Sequence, residues 1–570
     1  MAYTEFHTNR FDTRNPKSHV LLDEDGSFLY ETDYGSLLLK IIRRNDILKL
    51  QQYISTYSPK AVLAPSEVYY WDPFWTAATH GSPDVLRILL AQYYSAPTQP
   101  KPLDQRGFTL LNAACAYANI DTVKFILDHC PPIGSLDARD RCGETPLLSA
   151  AASLAYINFD EADGTPTRES WIRDQITRGQ ELVNFLLDRG ASACDAVLAS
   201  QSDGEERVQQ PTDTVLGLAV SRAGSALVNR LIDEGADVYT KQQYIHGARS
   251  ALARNRHQTI TRDVTVLHLA SAFWNAAAIQ ALLDTHAHSR SDNVEATQDV
   301  FDLVSSRDSV GRLPLHWAAG GSVPHECTLP DEELSSRILE TFTILLDRDA
   351  GSINAQDKEG LTPLYYAVKA HAACSGTKHA DLAIRLLLDH GADASICDEA
   401  GKSVLHLLAY GSVAGRPLDT SLLESLVTHG ADVNHADTDG NRPLHIMARN
   451  LRQASAAKFL LSQGADIHAT NSKGDTAFHQ VARGLLVPRN TVDWKIEDVT
   501  VADKIRAQDE MMSVLQEAVS GDGLMAKQNA EGRTPELLLL ETRNQWKGRG
   551  LNSQRGRGGV QRGRGGRNGG

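Results

Sequence analysis

The sequence has little of what a membrane-spanning, secreted or metal-binding chain requires. No apolar run approaches the roughly 18 residues of a transmembrane helix, and the N-terminal segment "MAYTEFHTNRF" contains no apolar signal core. The 7 cysteines are scattered, with neither a Cys-x-x-Cys pair nor a metal-binding Cys/His spacing. These absences argue against a membrane span, a disulfide framework and a zinc site, and they predict reduced thiols in a soluble intracellular protein.

Catalytic signatures are missing as well. The sequence contains no Gly-x-Ser-x-Gly elbow and no His-Glu-x-x-His motif. Gly401-Lys402-Ser403 spells the end of a phosphate-binding loop, but Ile396 occupies the place of that loop's first glycine. We therefore predict a protein that is not an enzyme, with no catalytic, cofactor-binding or metal-binding residue. An active site hidden among inserted segments is the alternative.

A short pattern recurs along the chain, [Asp/Asn]-x-x-Gly-x-[Thr/Ser]-Pro-Leu-His-x-Ala. Its copies begin at Asp140, Asp308, Asp357, Asp398, Asp437 and Asn471, with weaker forms at Asp104 and Asn529. Apolar segments that end in Gly-Ala follow the pattern, as in "LAIRLLLDHGADA" and "AAKFLLSQGADI". Self-similarity that recurs in register indicates a repeat architecture rather than a set of active-site motifs.

Each motif position has a local structural reason. The motif glycine is predicted to turn the chain where φ is positive, at Gly311, Gly360, Gly401, Gly440 and Gly474. The Thr or Ser is predicted to cap a first helix, for which the following Pro is preorganised. Gly391, Gly430 and Gly464 are predicted to end second helices as C-caps.

The pattern strongly resembles the ankyrin repeat family. The resemblance implies helix-turn-helix repeats with β-hairpin tips, and we predict an all-α ankyrin-repeat solenoid with a disordered tail. It also implies that the motif histidine bonds to the backbone and links neighbouring repeats. The histidines in this position, which we interpret as structural, are His268, His316, His406, His445 and His479.

The predicted organisation has four parts. Residues 1–35 form a loosely ordered N-terminal extension, and residues 36–103 form capping and degenerate repeats. Residues 104–546 form the repeat array, and residues 547–570 form the tail. Inserted segments lengthen several repeats, either between the paired helices or after the second helix. They elaborate a binding face or reflect neutral drift in surface loops.

The resemblance also implies one or more protein partners, bound through the concave face and the inserted loops. Trp71 and Trp274 are candidate contact aromatics because tryptophan is enriched in binding hot spots. Trp75 and Trp317, close to the motif-histidine position, are instead expected to pack between repeats.

One inserted segment, residues 241–262, stands out by its charge. It contains no acidic residue and carries Lys241, Arg249, Arg254, Arg256 and Arg262. In a chain of net charge -14 such a segment is a candidate contact for an acidic partner or a phosphate backbone. The alternative is a solvated segment whose charges face water.

The tail differs from the rest of the chain in composition. Glycine alternates there with six arginines, at Arg549, Arg555, Arg557, Arg562, Arg564 and Arg567. Such a segment cannot bury a core, and it resembles the RGG/RG tails of RNA-associated proteins. Guanidinium groups bind phosphates and stack on bases, so these arginines are candidate RNA contacts. A solubilising tail that folds back on the acidic body is the alternative.

The combined prediction is a non-catalytic adaptor or scaffold for protein partners, with weak RNA contact through the tail. A nuclear transcriptional coregulator that acts through protein–protein interaction is the alternative. The sequence does not distinguish cytoplasmic from nuclear localisation, and it does not indicate an oligomeric state.

Overall fold

The computed structural model describes residues 19–22, 28–30, 36–56, 72–96, 103, 108–156, 168–198, 211–245, 259–289, 302–321, 330–373, 378–411, 417–488, 497–519 and 522–557. This part of the chain is mostly helical. The chain divides into two compact units, the first made of Met1–Pro314 with Ser322–Asp349 and the second of Leu315–Gly321 with Ala350–Gly570. The boundaries predicted from the sequence, with an array at 104–546, stay a prediction.

The helices are numbered along the chain. They are α1 Ser36–Arg43, α2 Ile47–Thr56, α3 Pro73–His80, α4 Pro83–Tyr94, α5 Leu110–Ala116, α6 Ile120–His129, α7 Pro146–Ala155, α8 Arg168–Asp188, α9 Val215–Ala219, α10 Ser225–Asp233, α11 Val266–Ala272, α12 Ala276–Ser289, α13 Pro314–Ala319, α14 Asp331–Arg348, α15 Pro363–Ala373, α16 Lys378–Asp389, α17 Val404–Gly411, α18 Thr420–Thr428, α19 Pro443–Arg449, α20 Ala454–Ser462, α21 Ala477–Ala482, α22 Val501–Glu517 and α23 Pro535–Arg557. Short 3-10 turns lie at Pro131–Ile133, Ala350–Asn354 and Asp522–Leu524.

Helices alternate between two layers within each unit. In the first unit the first helices α1, α3, α5, α7, α9 and α11 pack one on the next, and second helices pack likewise, as α4 does on α6 and α6 on α8. In the second unit the first helices α15, α17, α19, α21 and α23 form one layer and the second helices α16, α18, α20 and α22 form the other. Each helix pair therefore contacts chiefly its sequence neighbours, as expected of a repeat.

Helix α7 shows why the first helices of the repeats are apolar on nearly every side. Thr145 caps it by accepting a hydrogen bond from the backbone of Leu148 at 3.4 Å, and Pro146 occupies its first turn. It packs between α5 and α9 and against α8, and Leu147, Leu148 and Leu154 are fully buried. Complete burial of one such leucine contributes roughly 1.5–3 kcal/mol.

Three short antiparallel sheets accompany the helices of the fold, which was predicted as all-α with β-hairpin tips. They pair β1 His19–Leu22 with β2 Phe28–Tyr30, β3 Ala196–Leu198 with β4 Pro211–Thr214, and β5 Gln242–Ile245 with β6 Ile260–Val264. The last two are hairpins of the repeats, and inserted residues separate their arms. The other hairpins close in a tight turn, which leaves too few residues for a strand ladder.

Strands β1 and β2 pair within residues 1–35, the segment predicted as a loosely ordered N-terminal extension. The apolar stretches "HVLL" and "FLY" flank Asp25-Gly26, a dipeptide typical of hairpin turns. Strand β1 packs against helix α2. The hairpin signal was therefore present in the sequence, but repeat periodicity does not detect it.

Inserted residues also lengthen second helices. Helices α8 and α14 have 21 and 18 residues. Helices α10 and α18 have 9 residues each, and α6 has 10. In the first unit the added turns meet each other, with Arg173 Nη2 3.0 Å from Glu333 Oε2. Within the described ranges, no helix combines the length and the apolar composition that crossing a membrane requires.

The last helix corrects the predicted start of the tail. Helix α23 continues to Arg557, whereas the sequence predicted disorder from residue 547. Residues 547–557 contain no proline, and arginine, glutamine and leucine favour helices, so three glycines do not end this one. Residues 558–570 lie outside the described residues.

Candidate functional site

The repeats share one hairpin turn, in which a side-chain oxygen accepts hydrogen bonds from two backbone N–H groups of the same turn. In the turn at residues 437–441, Asp437 Oδ1 accepts hydrogen bonds from the backbone N–H groups of Asp439 at 3.0 Å and Asn441 at 2.7 Å. The same pair of bonds is made by Asp140, Asp308, Asp357, Asp398, Asn471 and Asn529. Asp104 lies outside the described residues.

The motif glycines adopt the left-handed conformation, as the sequence predicted. The φ angles are 92°, 78°, 67°, 72° and 71° at Gly311, Gly360, Gly401, Gly440 and Gly474. The predicted C-cap glycines also have positive φ, at 88°, 99° and 86° for Gly391, Gly430 and Gly464. Both sets of predictions are confirmed.

Consecutive turns of the second unit are hydrogen-bonded to one another. In each step, a backbone N–H of one turn donates to a carbonyl of the turn before it. The steps are Glu399 to Glu359 at 3.2 Å, Thr438 to Ala400 at 3.1 Å, Ser472 to Asp439 at 2.9 Å and Ala530 to Lys473 at 2.9 Å. The turns therefore form a fixed row at the edge of the unit.

The motif histidines connect each repeat to the next turn. The backbone N–H of Ser403 donates to His406 Nδ1 at 3.2 Å, and His406 Nε2 donates to the carbonyl of Asn441 at 2.9 Å. The other four also bond a carbonyl of the following repeat through Nε2, His268 to Arg312, His316 to Leu361, His445 to Ala469 and His479 to Arg533. The structural role implied by the resemblance is thus confirmed.

The hydrogen bonds define the protonation state of these histidines. Because Nδ1 accepts and Nε2 donates, the ring is neutral. Burial, the largest effect, lowers the pKa of His406, His445 and His479, which keeps them neutral at physiological pH. Neutral, saturated and buried imidazoles are poorly placed for acid–base chemistry.

Two repeats fill the histidine position in ways that sequence reasoning missed. Asn112 occupies it between α5 and α7, and its amide donates to the carbonyl of Glu144 at 2.7 Å. Gly217 occupies it in α9, where a Cβ would lie 2.6 Å from the Gln242 side chain that fills the space. Motif register marks both positions, but it does not reveal that Gln242, from the next hairpin, replaces the ring.

A polar cavity of about 490 Å³ opens in the second unit beside the row of turns. Turn residues Asp439 and Lys473 line it, together with Tyr410 and Arg449 at the C-terminal ends of α17 and α19. Ile446 of α19 and Leu538 of α23 supply its apolar patches. The cavity therefore spans the turns and first helices of several successive repeats.

Comparison with known families matches two stretches of the chain that contain these features. The family described as ankyrin repeats, in three copies, matches residues 74–159, and the single ankyrin repeat matches residues 439–472. The chain contains ankyrin repeats. The second match includes the turn at Asp437–Asn441 only in part but covers the whole step from Asp439 to Ser472.

A relative with a similar segment is an ankyrin repeat-containing protein of Schizosaccharomyces pombe. It is 31% identical over 94 residues, which cover 16% of this chain and 42% of that protein. The chain thus matches less than half the length of this relative. Ankyrin repeats are generally non-catalytic modules, and they imply a role in protein–protein interaction.

The structure buries one tryptophan that the sequence suggested for partner binding. Trp274 is only 7% exposed, in the turn between the ankyrin helices α11 and α12, with φ of 49°. It packs inside the repeat because the turn directs it inward, and the prediction that it contacts a partner is wrong. Trp75 and Trp317 are 8% and 7% exposed, and the ring centre of Trp75 lies 5.5 Å from that of Tyr117 at the end of α5.

For the remaining residues predicted to contact a partner or RNA, the structure describes no side chain. Trp71, Arg249, Arg254 and Arg256 lie outside the described residues, as do the tail arginines Arg562, Arg564 and Arg567. Arg549, Arg555 and Arg557 lie in helix α23, and only their backbone is described. Among the residues that are described, no three His, Cys, Asp or Glu side chains group as a possible metal site.

Proposed function

We propose that the protein is a non-catalytic adaptor that holds protein partners against its row of turns and first helices. The observation that carries this proposal is the hydrogen-bonded row from Glu359 to Ala530. Its backbone is fixed by Asx bonds, positive-φ glycines and bonds between turns. A preorganised surface loses little conformational entropy on binding, which favours affinity.

The side chains on this surface are those that the repeat leaves free to vary. Between the Asp or Asn and the Gly of the motif, Asp439, Ser472 and Lys473 are exposed. Structural requirements are met by the Asp, Gly and His positions. Substitutions at these positions can therefore change which partner the surface binds without lowering the stability of the fold.

The order of packing supports a further part of the proposal, a solenoid within each unit. Helix pairs that contact chiefly their neighbours leave the turns aligned on one side. An aligned series of turns presents an extended face rather than a closed pocket, and this face suits a protein partner better than a small metabolite.

Site-specific photo-crosslinking tests the adaptor proposal. We would place p-benzoylphenylalanine at Ser472, on the row of turns, and in a matched chain at Lys458, which is exposed on second helix α20. Irradiation in cell extract is expected to yield discrete protein adducts from position 472 and none of these from position 458. Equal labelling from both positions, or adducts from position 458 alone, would contradict the proposal.

We also propose that the arginines at 549, 555, 557, 562, 564 and 567 give the adaptor a weak contact with RNA. Their spacing by glycine and the absence of acids from residues 547–570 support it. Binding that rests on phosphate contacts weakens steeply with salt. The nuclear coregulator and the choice between cytoplasm and nucleus stay predictions.

A charge-removing variant tests the RNA contact without shortening helix α23. We would replace all six arginines by glutamine and compare RNA recovered with the two chains at low salt, with and without RNase. The variant is expected to lose most of the RNA while keeping its protein partners, and a six-lysine variant separates charge from guanidinium geometry. Equal RNA recovery with wild type and the glutamine variant would show that the tail is a solubility device.

A further inference from the structure

The cavity beside the row of turns has an excess of one positive charge in a chain whose net charge is -14. Four cationic and three anionic side chains line it, at Arg449, Lys473, Arg483, Arg533, Asp439, Asp475 and Glu531. The net charge of these lining side chains is therefore opposite in sign to that of the chain as a whole, which favours an anionic group of the ligand.

Several of these charges already neutralise one another. Arg483 lies 2.5 Å from Asp475 Oδ2 and 3.8 Å from Glu531 Oε2. Asp475 is buried, and it also accepts hydrogen bonds from the side chains of Gln480 at 3.2 Å and Asn529 at 2.7 Å. Arg533 is paired with Glu541 at 2.6 Å. Because these groups are paired with one another, we do not expect them to bind a ligand.

Two cations remain available. Among the described residues, no hydrogen bond or ion pair engages the side chains of Arg449 and Lys473, and both are exposed. They come from neighbouring repeats, Arg449 from the end of α19 and Lys473 from the following turn. Tyr410 lines the same cavity, 44% exposed, with Lys402 Nζ 5.4 Å from the centre of its ring. Within the described part of the chain, two cations and a phenol hydroxyl therefore offer donors to a ligand.

We propose that this cavity binds one carboxylate side chain, an Asp or a Glu, of an extended segment of the partner protein, held by Arg449 and Lys473. The inference rests on the proposed function, because it names the group that the adaptor surface recognises. Ile446 and Leu538 would contact the apolar part of the same segment. Arginine's fork of donors suits a carboxylate, and lysine adds a second charge-assisted bond.

The charge balance favours a carboxylate over a phosphorylated residue. Asp439 also lines the cavity, and no described residue pairs with its carboxylate. Among the lining charges that are not paired, Arg449 and Lys473 stand against Asp439 alone, so a single negative charge of the ligand balances them, whereas a phosphate of charge about -1.5 to -2 would exceed that balance. Burial, followed by Asp437 and Asp439, raises the pKa of Tyr410, so its hydroxyl remains a donor.

Selection from a display library of random short peptides on the full-length chain tests the proposal. Enriched peptides are expected to share an Asp or Glu, and changing it to Asn or Gln should weaken binding about 10- to 100-fold by fluorescence anisotropy. Arg449→Gln and Lys473→Gln should each weaken the binding of the enriched acidic peptides. Neither variant should further weaken the binding of the peptides in which Asn or Gln replaces the acid. The matched control, Lys458→Gln on α20, should leave affinity unchanged.

The outcomes separate this inference from the proposed function. Peptides that bind without an acidic position, or that ignore both cation variants, would overturn the carboxylate site and leave the adaptor proposal standing. A phosphoserine peptide that binds more tightly than its Asp or Glu parent would overturn the assignment to a carboxylate. Failure to enrich any peptide also overturns the site, and the photo-crosslinks from position 472 then decide whether the adaptor proposal fails with it.

Discussion

Gly474→Ala is expected to lower the free energy of unfolding by about 2–4 kcal/mol, against about 1 kcal/mol for Gly464→Ala. Both glycines have positive φ, 71° and 86°, so both alanines carry the same left-handed strain. The difference lies in what the new Cβ meets. At Gly474 it would lie 2.9 Å from the backbone nitrogen of Ala530, whereas at Gly464 nothing lies within 4 Å.

The Gly474 comparison isolates the contact between turns from intrinsic backbone strain. Urea unfolding gives the two free energies, and hydrogen exchange at the amide of Ala530, which donates to the carbonyl of Lys473, reports the local effect. Exchange there should accelerate in Gly474→Ala alone. Equal destabilisation by the two alanines would mean that the row of turns adjusts, and that turn stacking adds little to the fold.

His406→Ala should destabilise the fold by about 3–5 kcal/mol, since it leaves a cavity and strands buried polar groups. The backbone N–H of Ser403 would lose its partner, and the carbonyl of Asn441 would keep only its bond from the backbone N–H of Asp437. His406 and Ser403 are almost fully buried. His406→Asn is the matched variant, because Asn112 shows that an amide can make the carbonyl bond. It should cost roughly half as much.

The pH dependence of unfolding provides an independent readout for His406. Burial lowers the pKa of His406 in the folded state, so the unfolded chain binds more protons below the ordinary value of about 6.5. Wild-type stability should therefore fall as pH drops below that value, and His406→Asn should remove part of the fall. An unchanged pH profile in the variant would show that His406 does not titrate on unfolding, contrary to its burial.

The turns and their links could be predicted from the sequence because they depend on few neighbouring residues. Asp437 bonds N–H groups two and four residues away, and Gly440 needs only its own φ. Periodicity then places His445 at the same point of its repeat as the other motif histidines. The ankyrin assignment and the structural role of the histidines follow from such short-range relations.

Other features depended on segments that are distant in the sequence. Gln242 fills the space over Gly217, and Trp274 is directed into the repeat by a left-handed turn that no glycine marks. The strands at residues 196–198 and 211–214 pair across an inserted segment, which the motif does not express. Their positions are set by packing rather than by the motif.

The sequence by itself thus determined the repeat, the turn chemistry and the absence of a recognisable catalytic motif. Only the tertiary structure decided which side chains meet around the cavity, and that Arg483 is neutralised there while Arg449 and Lys473 are not. The physical reason is that a repeat motif encodes contacts within a repeat and to the next one. The balance of charges in a cavity instead sums side chains from several repeats at positions that the motif leaves unspecified.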